Sequence, residues 1–358
     1  SGTCEQLLEQ LSAFDVVPHE GYLGDHESGQ YGPYSQSQRA TIYHTVIKQM
    51  IEEDLAYPCF CSTEKLQEMR ALQETNKELT GYYGHYATCS HLSVEDMIEK
   101  VKLGIPYVIR FRSRGNHNHT VRVSDLVRGD LELAENDQHI VILKSDGLPT
   151  YHFAHIVDDH LMHTTIVSRG EEWISSLPLH VQMFDALKWK APRYAHLPVI
   201  NKLDNGNKRK LSKRKDPEAA VSYFLNLGYP PEGLLTYLLS IANSNFEEWW
   251  MDHKSSPLDE FEFTFAKMSL DGALFDLEKV NFFSREFFAT LSAEQMAERV
   301  VSFLSQDKNN NDKLASIKAS YPQFVAMMNI EREQENPRKD YTYLAQVWSS
   351  IAFFFSNY

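Results

Sequence analysis

The chain has 358 residues, 42% of them hydrophobic and 23% charged, an ordinary globular composition with length for two or three domains. Its net charge of −14 argues against nucleic-acid binding by bulk attraction, though local basic patches remain open to it. No apolar run reaches the ~18 residues of a membrane span. The first residues, Ser1-Gly2-Thr3-Cys4, lack the basic and apolar regions of a secretory signal, and there are only four cysteines, so a reduced, cytoplasmic setting is expected.

Residues 31–39, Tyr-Gly-Pro-Tyr-Ser-Gln-Ser-Gln-Arg, read as a turn and then a helix start, with Ser35 or Ser37 as N-cap. Ile42, Tyr43, Val46, Ile47, Met50 and Ile51 recur at spacings of three and four and predict a helix with one buried face. Ser93-Val-Glu-Asp96 opens a short helix in capping-box style, with Val94, Met97, Ile98 and Val101 turned inward. From Ile105 the period becomes two. Ile105, Tyr107, Ile109 and Phe111 alternate with Val108, Arg110 and Arg112, as in a half-exposed strand. A hairpin-like loop at 116–119 and further strand over 121–133 follow.

Ile140-Val-Ile-Leu143 is a continuous apolar run, which predicts a strand covered on both faces in a parallel sheet. Residues 151–157 begin a helical stretch, and 164–168 read as another short buried strand. That strand runs into Arg169-Gly-Glu-Glu172 and a helix with Leu177, Val181, Phe184 and Leu187 on one face. A strand feeding a helix through such a turn is half of a βαβ unit, and open parallel sheets bind ligands at these strand ends. Arg169 and Glu172 are therefore candidate ligand contacts; the plainer alternative is a surface turn with a local ion pair. Beyond residue 216 the pattern is helical, broken by a polar loop at 306–312. The apolar stretch 347–355, with Phe353, Phe354 and Phe355, calls for something to pack against.

Two constellations carry chemistry. Cys59-Phe-Cys61 and Cys89-Ser-His91 are two close pairs joined by a spacer, the way a tetrahedral zinc site is built from one segment. Tyr82, Tyr83 and His85 compete with His91 for the fourth place, and buried free thiols are the bland alternative. All-protein ligation makes the role structural. The second constellation is the octamer 208–215, Lys-Arg-Lys-Leu-Ser-Lys-Arg-Lys, after the turn-rich Asp204-Asn-Gly-Asn207. It reads either as a localisation or loose nucleic-acid patch, or as a mobile loop whose cations meet a polyphosphate.

Tyr31-Gly-Pro-Tyr-Ser-Gln-Ser-Gln-Arg39, Tyr151-His-Phe-Ala154, Val157-Asp-Asp159, Arg169-Gly-Glu-Glu-Trp173 and Lys210-Leu-Ser-Lys-Arg214, in this order, resemble the glutamyl-tRNA synthetases, class I enzymes of bacterial or organellar type. Phe275–Asn281 is similar to the start of that family's anticodon-binding helices. The resemblance covers essentially the whole chain. It implies an α/β fold: a partial Rossmann-type catalytic domain (1–58 and 136–215, the latter with the lysine loop) and an inserted acceptor-binding domain with the zinc site (59–135). A stem-contact helical region (216–270) and the start of a helical anticodon-binding domain (271–358) would follow.

The implied activity is ATP- and Mg²⁺-dependent activation of L-glutamate to glutamyl-adenylate, then transfer to the 3′ end of tRNA(Glu) by a monomer. By matching residues, Lys210 and Lys213 are the catalytic lysines, Lys213 holding the departing pyrophosphate. Ser212, Glu172 and Trp173 lie beside ATP, and Tyr151, Arg169 and His155 line the glutamate pocket. For Zn²⁺ the expected ligands remain those read from spacing, Cys59, Cys61, Cys89 and His91, with Tyr82, Tyr83 and His85 as alternatives to His91. His155 stands where many relatives carry asparagine.

Family members also carry an Ala-Pro-Ser-Pro-Thr-Gly segment and a His-Ile-Gly-His signature before the Tyr-Gly-Pro-Tyr stretch, and neither occurs in this sequence. The expectation is that this polypeptide by itself does not activate glutamate. Rival readings are a glutamine-charging or tRNA-modifying enzyme of the same lineage, and a non-catalytic zinc-containing tRNA-binding module.

Overall fold

The computed structural model describes residues 2–254, 256–335 and 337–355. The chain forms two compact units, residues 18–197 and residues 1–17 with 198–358. The first helix, α1 (Gly2–Ser12), belongs to the second of these.

The unit 18–197 opens with a small hairpin, β1 (Gly21–Tyr22) and β2 (Glu27–Ser28). A 3-10 turn at Gln36–Arg39 leads into α2 (Ala40–Glu52), and Ser35 sits before that turn without a side-chain cap bond. Then come β3 (Ala56–Cys59), α3 (Thr63–Asn76), α4 (Val94–Lys102), β4 (Val108–Phe111), β5 (Thr120–Asp125), β6 (Gly129–Ala134) and β7 (Val141–Leu143). The unit closes with α5 (Tyr151–Leu161), β8 (Ile166–Gly170), α6 (Leu177–Ala186) and β9 (Arg193–Leu197).

Its core joins Tyr43, Ile47 and Met50 of α2 to Ile109, Phe111 and Ile142 of the strands and to Phe153, Ile156, Met183 and Phe184 of α5 and α6. Phe153 is fully buried there, so its truncation to alanine would cost about 3–5 kcal/mol. Strands β8 and β9 are parallel with α6 as the crossover, and the sheet continues through β5 to β6. This is the expected βαβ unit. Its register sets Arg169 beside His196.

Three expectations fail here for identifiable reasons. Strand β7 pairs antiparallel with β4, in a sheet ordered β3-β4-β7, so an apolar run reports burial and not strand direction. Strand β4 is buried on both sides, because Arg110 lies 4.1 Å over the Tyr82 ring and donates to the His139 carbonyl at 2.8 Å. In α4 the Ser93 cap forms, its hydroxyl accepting from the Asp96 amide at 3.0 Å, but only Met97 packs inward. Val94, Ile98 and Val101 face outward, exposed.

The unit 1–17 with 198–358 starts its second part with the hairpin β10 (Asn201–Asp204) and β11 (Asn207–Lys210). Asn205 and Gly206 take φ of 50° and 83°, the left-handed pair that a two-residue turn needs. Helices α7 (Val221–Leu227), α8 (Pro231–Ala242) and α9 (Phe246–Asp252) follow, then α10 (Leu277–Thr290), α11 (Ala293–Ser305), α12 (Asn311–Ala319), α13 (Tyr321–Met328) and α14 (Ala345–Ile351). Asp276 caps α10 through the Glu278 and Lys279 amides, and Ser292 with Gln295 forms a capping box on α11.

Two aromatic-rich cores fill this unit, one around Tyr237, Phe246 and Phe283 and one around Met296, Phe324 and Val347. The polar loop after α11 is shorter than expected, since α12 already begins at Asn311. Of the terminal phenylalanines, Phe355 is buried against Trp348, while Phe353 and Phe354 are exposed. No helix among the described residues is long and apolar enough to cross a membrane.

Candidate functional site

Within the unit 18–197 a cavity of about 850 Å³ lies between α5 and the C-terminal end of β8. Residues four apart on a helix share a face, so Tyr151 and His155 point the same way from α5; their rings stack at 5° with centroids 6.0 Å apart. Trp173, from the 3-10 turn after β8, packs on Tyr151 with centroids 4.5 Å apart. Tyr151, His155, Asp158, Asp159 and Arg169 all line the cavity. Glu172 folds back over Gly170, where an added Cβ would stand 2.1 Å from its Oε2. Thus Tyr151, His155, Arg169, Glu172 and Trp173, predicted from sequence, are brought to one end of one unit.

Arg169 is held from two sides. Its Nε donates to His196 Nε2 at 3.0 Å, and its Nη1 lies 3.2 Å from His180 Nδ1. A guanidinium can only donate, so both imidazoles accept and are neutral on those nitrogens. His196 therefore carries its proton on Nδ1, which donates to Asp125 Oδ2 at 2.7 Å. His180 carries its proton on Nε2, 2.9 Å from His152 Nδ1.

Burial supports this assignment. It pushes His180 down to about 2, with the charges of His155 and Arg169 adding to the effect, and holds His196 below its ordinary value against the pull of Asp125. Arg169 Nη2 is buried with no hydrogen-bond partner, and among the described residues no carboxylate pairs with this guanidinium. A cation lining a cavity with a donor to spare suits an anionic ligand. His155 is already occupied: Nδ1 pairs with Asp159, and Nε2 lies 3.1 Å from the Tyr194 hydroxyl.

The thiol cluster forms in the same unit. The sulfurs of Cys59, Cys61 and Cys89 lie within 4.8 Å of one another, and His91 does not join them; its Nε2 is 3.3 Å from the Gly84 carbonyl. Tyr82 reaches the cluster instead: its hydroxyl is 3.5 Å from Cys59 Sγ, 3.3 Å from Cys61 Sγ and 3.0 Å from the Cys89 amide nitrogen. The Cys89 thiol donates toward Cys59, which lowers the Cys59 thiol to about 4 and raises Cys89. Three soft donors that already share one thiolate fit a zinc ion. Tyr83 and His85 do not join the group: Tyr83 bonds the Leu79 carbonyl at 2.7 Å and His85 stacks on Tyr86.

In the other unit the basic octamer is not wholly a loop. Its first three residues complete β11, and Arg209 is spent on structure, pairing with Asp204 at 2.7 Å and with buried Asp216 at 2.6 Å. Asp216 also accepts from the Ser212 amide at 3.0 Å, and its carboxyl stays well below the usual range because of Arg209. These bonds pin both ends of a short turn. Lys210, Lys213, Arg214 and Lys215 are exposed around it.

Sequence reasoning missed His180 and His196, which reach Arg169 from α6 and β9, and Asp125 of β5, which holds His196. It also missed the work of Arg39 and Asp158. Buried Arg39 donates to Asp158 at 2.8 Å and to the carbonyls of Tyr31 and Pro33 at 3.2 and 2.8 Å, while Tyr43 donates to Asp158 at 2.8 Å. The available signal was the position of Arg39 and Asp158 inside two of the quoted motifs.

Residues 2–265 match the family described as tRNA synthetases class I (E and Q), catalytic domain. The chain is 43% identical over 357 residues to a glutamate–tRNA ligase of Acetivibrio thermocellus, covering 100% of this chain and 65% of that protein. It is 44% identical to the corresponding Clostridium beijerinckii ligase, covering 99% and 64%. A crystal structure of a glutamate tRNA ligase from Elizabethkingia meningosepticum, in complex with its amino acid, superposes with a TM-score of 0.82 at 28% identity, over 99% of this chain and 70% of that one. The chain thus spans less than two thirds of the length of the curated relatives just named. With a mixed α/β fold, a parallel βαβ core and this similarity along its length, the chain belongs to the class I tRNA synthetases of the E and Q type.

Proposed function

We propose that the chain serves glutamate–tRNA ligation and that its cavity binds L-glutamate. The observation that supports this most directly is Arg169: it lines the cavity, is held by neutral histidines, has Nη2 unspent, and is paired with no carboxylate among the described residues, the cavity's Asp158 and Asp159 being engaged by Arg39, Tyr43 and His155. Trp173 backs the Tyr151 ring that lines the cavity, and Glu172, from the same turn as Trp173, would lie beside the adenylate. Arg169→Gln removes a charge-assisted donor worth about 1.5–3 kcal/mol, hence roughly 10- to 150-fold in affinity. Calorimetric titration of the chain with L-glutamate tests it. Unchanged affinity in a folded Arg169→Gln variant would sink the assignment.

The second half of the reading is phosphate handling. Lys210, Ser212 and Lys213 would meet ATP and its Mg²⁺ from the turn that Asp216 pins, neutralising charge as pyrophosphate departs. Residues 59–135, with a zinc held by Cys59, Cys61, Cys89 and Tyr82 in place of His91, would form the inserted domain that receives the tRNA acceptor end. Residues 216–270 and 271–358 would contact the stem and the anticodon. The zinc would fix the fold of its segment, since four protein ligands leave no open position for chemistry.

A further inference from the structure

Two other arginines in this chain show what a guanidinium does when its role is structural. Arg39 pairs with Asp158, and Arg209 pairs with Asp204 and Asp216. In each the positive charge is cancelled on the spot. Arg169 is fixed just as firmly, through Nε and Nη1, yet each fixing partner is an imidazole nitrogen. The carboxylate in the arrangement, Asp125, stands one ring further back, behind His196.

We infer that His196 and His180 are positioning residues that hold Arg169 through neutral acceptors, with Asp125 setting the His196 tautomer, so that the undiminished guanidinium charge faces a ligand carboxylate. The inference rests on the reading of the cavity as an amino-acid site and adds how its selectivity for an anion is built. The surroundings are consistent with it. Trp173 and Tyr194 lie against the Arg169 guanidinium, and Tyr151, His152 and His155 pack around His180. The carboxylates that share the cavity have other partners, Asp158 in Arg39 and Tyr43 and Asp159 in His155. Asp125 is fully engaged: it accepts from the amides of Val127, Arg128 and His196 as well as from the ring. A carboxylate at either histidine position would make the same hydrogen bond and cancel the charge.

The test has two arms. Nitrogen-15 spectra of histidine-labelled chain, with His180→Gln and His196→Gln used for assignment, read the tautomers directly and need neither ligand nor turnover. The expected result is His196 protonated on Nδ1 alone and His180 on Nε2 alone at pH 7; a doubly protonated ring or the opposite tautomer at either overturns the proposal. The second arm titrates L-glutamate, L-glutamine and L-isoglutamine into the chain. His180→Gln, which keeps a neutral acceptor, should leave the preference for glutamate over the weaker-binding amide within about threefold of the starting protein. His180→Glu should reduce that preference by at least tenfold. A folded His180→Glu chain that retains it overturns the proposal. Absence of glutamate binding by the unaltered chain would instead count against the cavity assignment, while the tautomers still decide how Arg169 is held.

Discussion

Replacing Arg39 by methionine tests whether the Tyr-Gly-Pro-Tyr segment is held to α5 by one buried cation. Arg39 is 2% exposed and makes three hydrogen bonds, one to Asp158 and two to the carbonyls of Tyr31 and Pro33. Methionine preserves most of the apolar stem and removes every donor. Breaking a buried pair by deleting one partner costs about 3–5 kcal/mol. The lower end applies here, because the Asp158 side chain is 25% exposed and keeps the Tyr43 hydroxyl. The two carbonyls add little, since Tyr31 is exposed and Pro33 half-buried, so water can replace the guanidinium. The expected loss is about 3 kcal/mol, or a fall of roughly 150-fold in protection at about 1.4 kcal/mol per factor of ten. Native-state hydrogen exchange of peptides from α2 and α5 measures it within this unit. A double-mutant cycle with Asp158→Asn should return a coupling of about 1.5–3 kcal/mol. Protection within fivefold of the starting protein, or coupling below 0.5 kcal/mol by the scale of independent sites, would refute the reasoning.

The thiol centre should retain one equivalent of zinc by elemental analysis; Tyr82→Phe should weaken retention by about 10- to 100-fold and His91→Ala should not, and the reverse pattern would restore His91 as the ligand. His180 is depressed to about 2 from 6.5, so the unfolded chain binds a proton that the folded chain refuses. Its contribution to stability is complete above pH 6.5 and is lost as pH falls below that value, by up to about 1.4 kcal/mol per pH unit. Urea midpoints at pH 7 and pH 5 should therefore differ less in His180→Gln than in the unaltered chain, and an equal difference would show that His180 does not drive the slope. In a full-length enzyme containing this chain, Lys213→Ala should abolish glutamate-dependent pyrophosphate exchange while leaving tRNA affinity within a few fold; a large loss of tRNA affinity would assign that lysine to binding.

What could be read in the sequence followed the range of the physics involved. Periodicity is local, and it placed α2, α5 and α6 and identified the βα turn that presents Arg169. It failed where the partner is remote in sequence. Alternation put Arg110 on the solvent face of its strand, but Tyr82 and the His139 carbonyl, both far along the chain, make burial of that cation tolerable. The apolar spacing of Val94, Ile98 and Val101 describes a helix face and says nothing of what covers it. Close spacing favoured His91 as the neighbour of the thiols, yet folding brings Tyr82 to the sulfurs instead. The histidines around Arg169 come from three separate elements, and nothing in their local sequence marks them as a set.

That last case changes how the motifs should be understood. In sequence, residues 31–39, 151–159 and 169–173 are separate signatures. In the unit 18–197 the first two are one network, because Arg39 joins the Tyr31 and Pro33 carbonyls to Asp158, and Tyr43 adds a second bond to the same carboxylate. The helix that carries Asp158 also carries Tyr151 and His155, so fixing its C-terminal half fixes the stacked rings at its N-terminal end. Those rings pack on Trp173 of the third signature and on His180, which holds Arg169. The Tyr-Gly-Pro-Tyr segment can therefore bear on ligand affinity through position alone. Arg39→Met should loosen α5 and weaken glutamate binding, and Arg169→Gln should weaken binding while leaving the protection of α5 unchanged. Only a network that runs from the turn to the cavity, with Arg169 as its end point, gives that asymmetry.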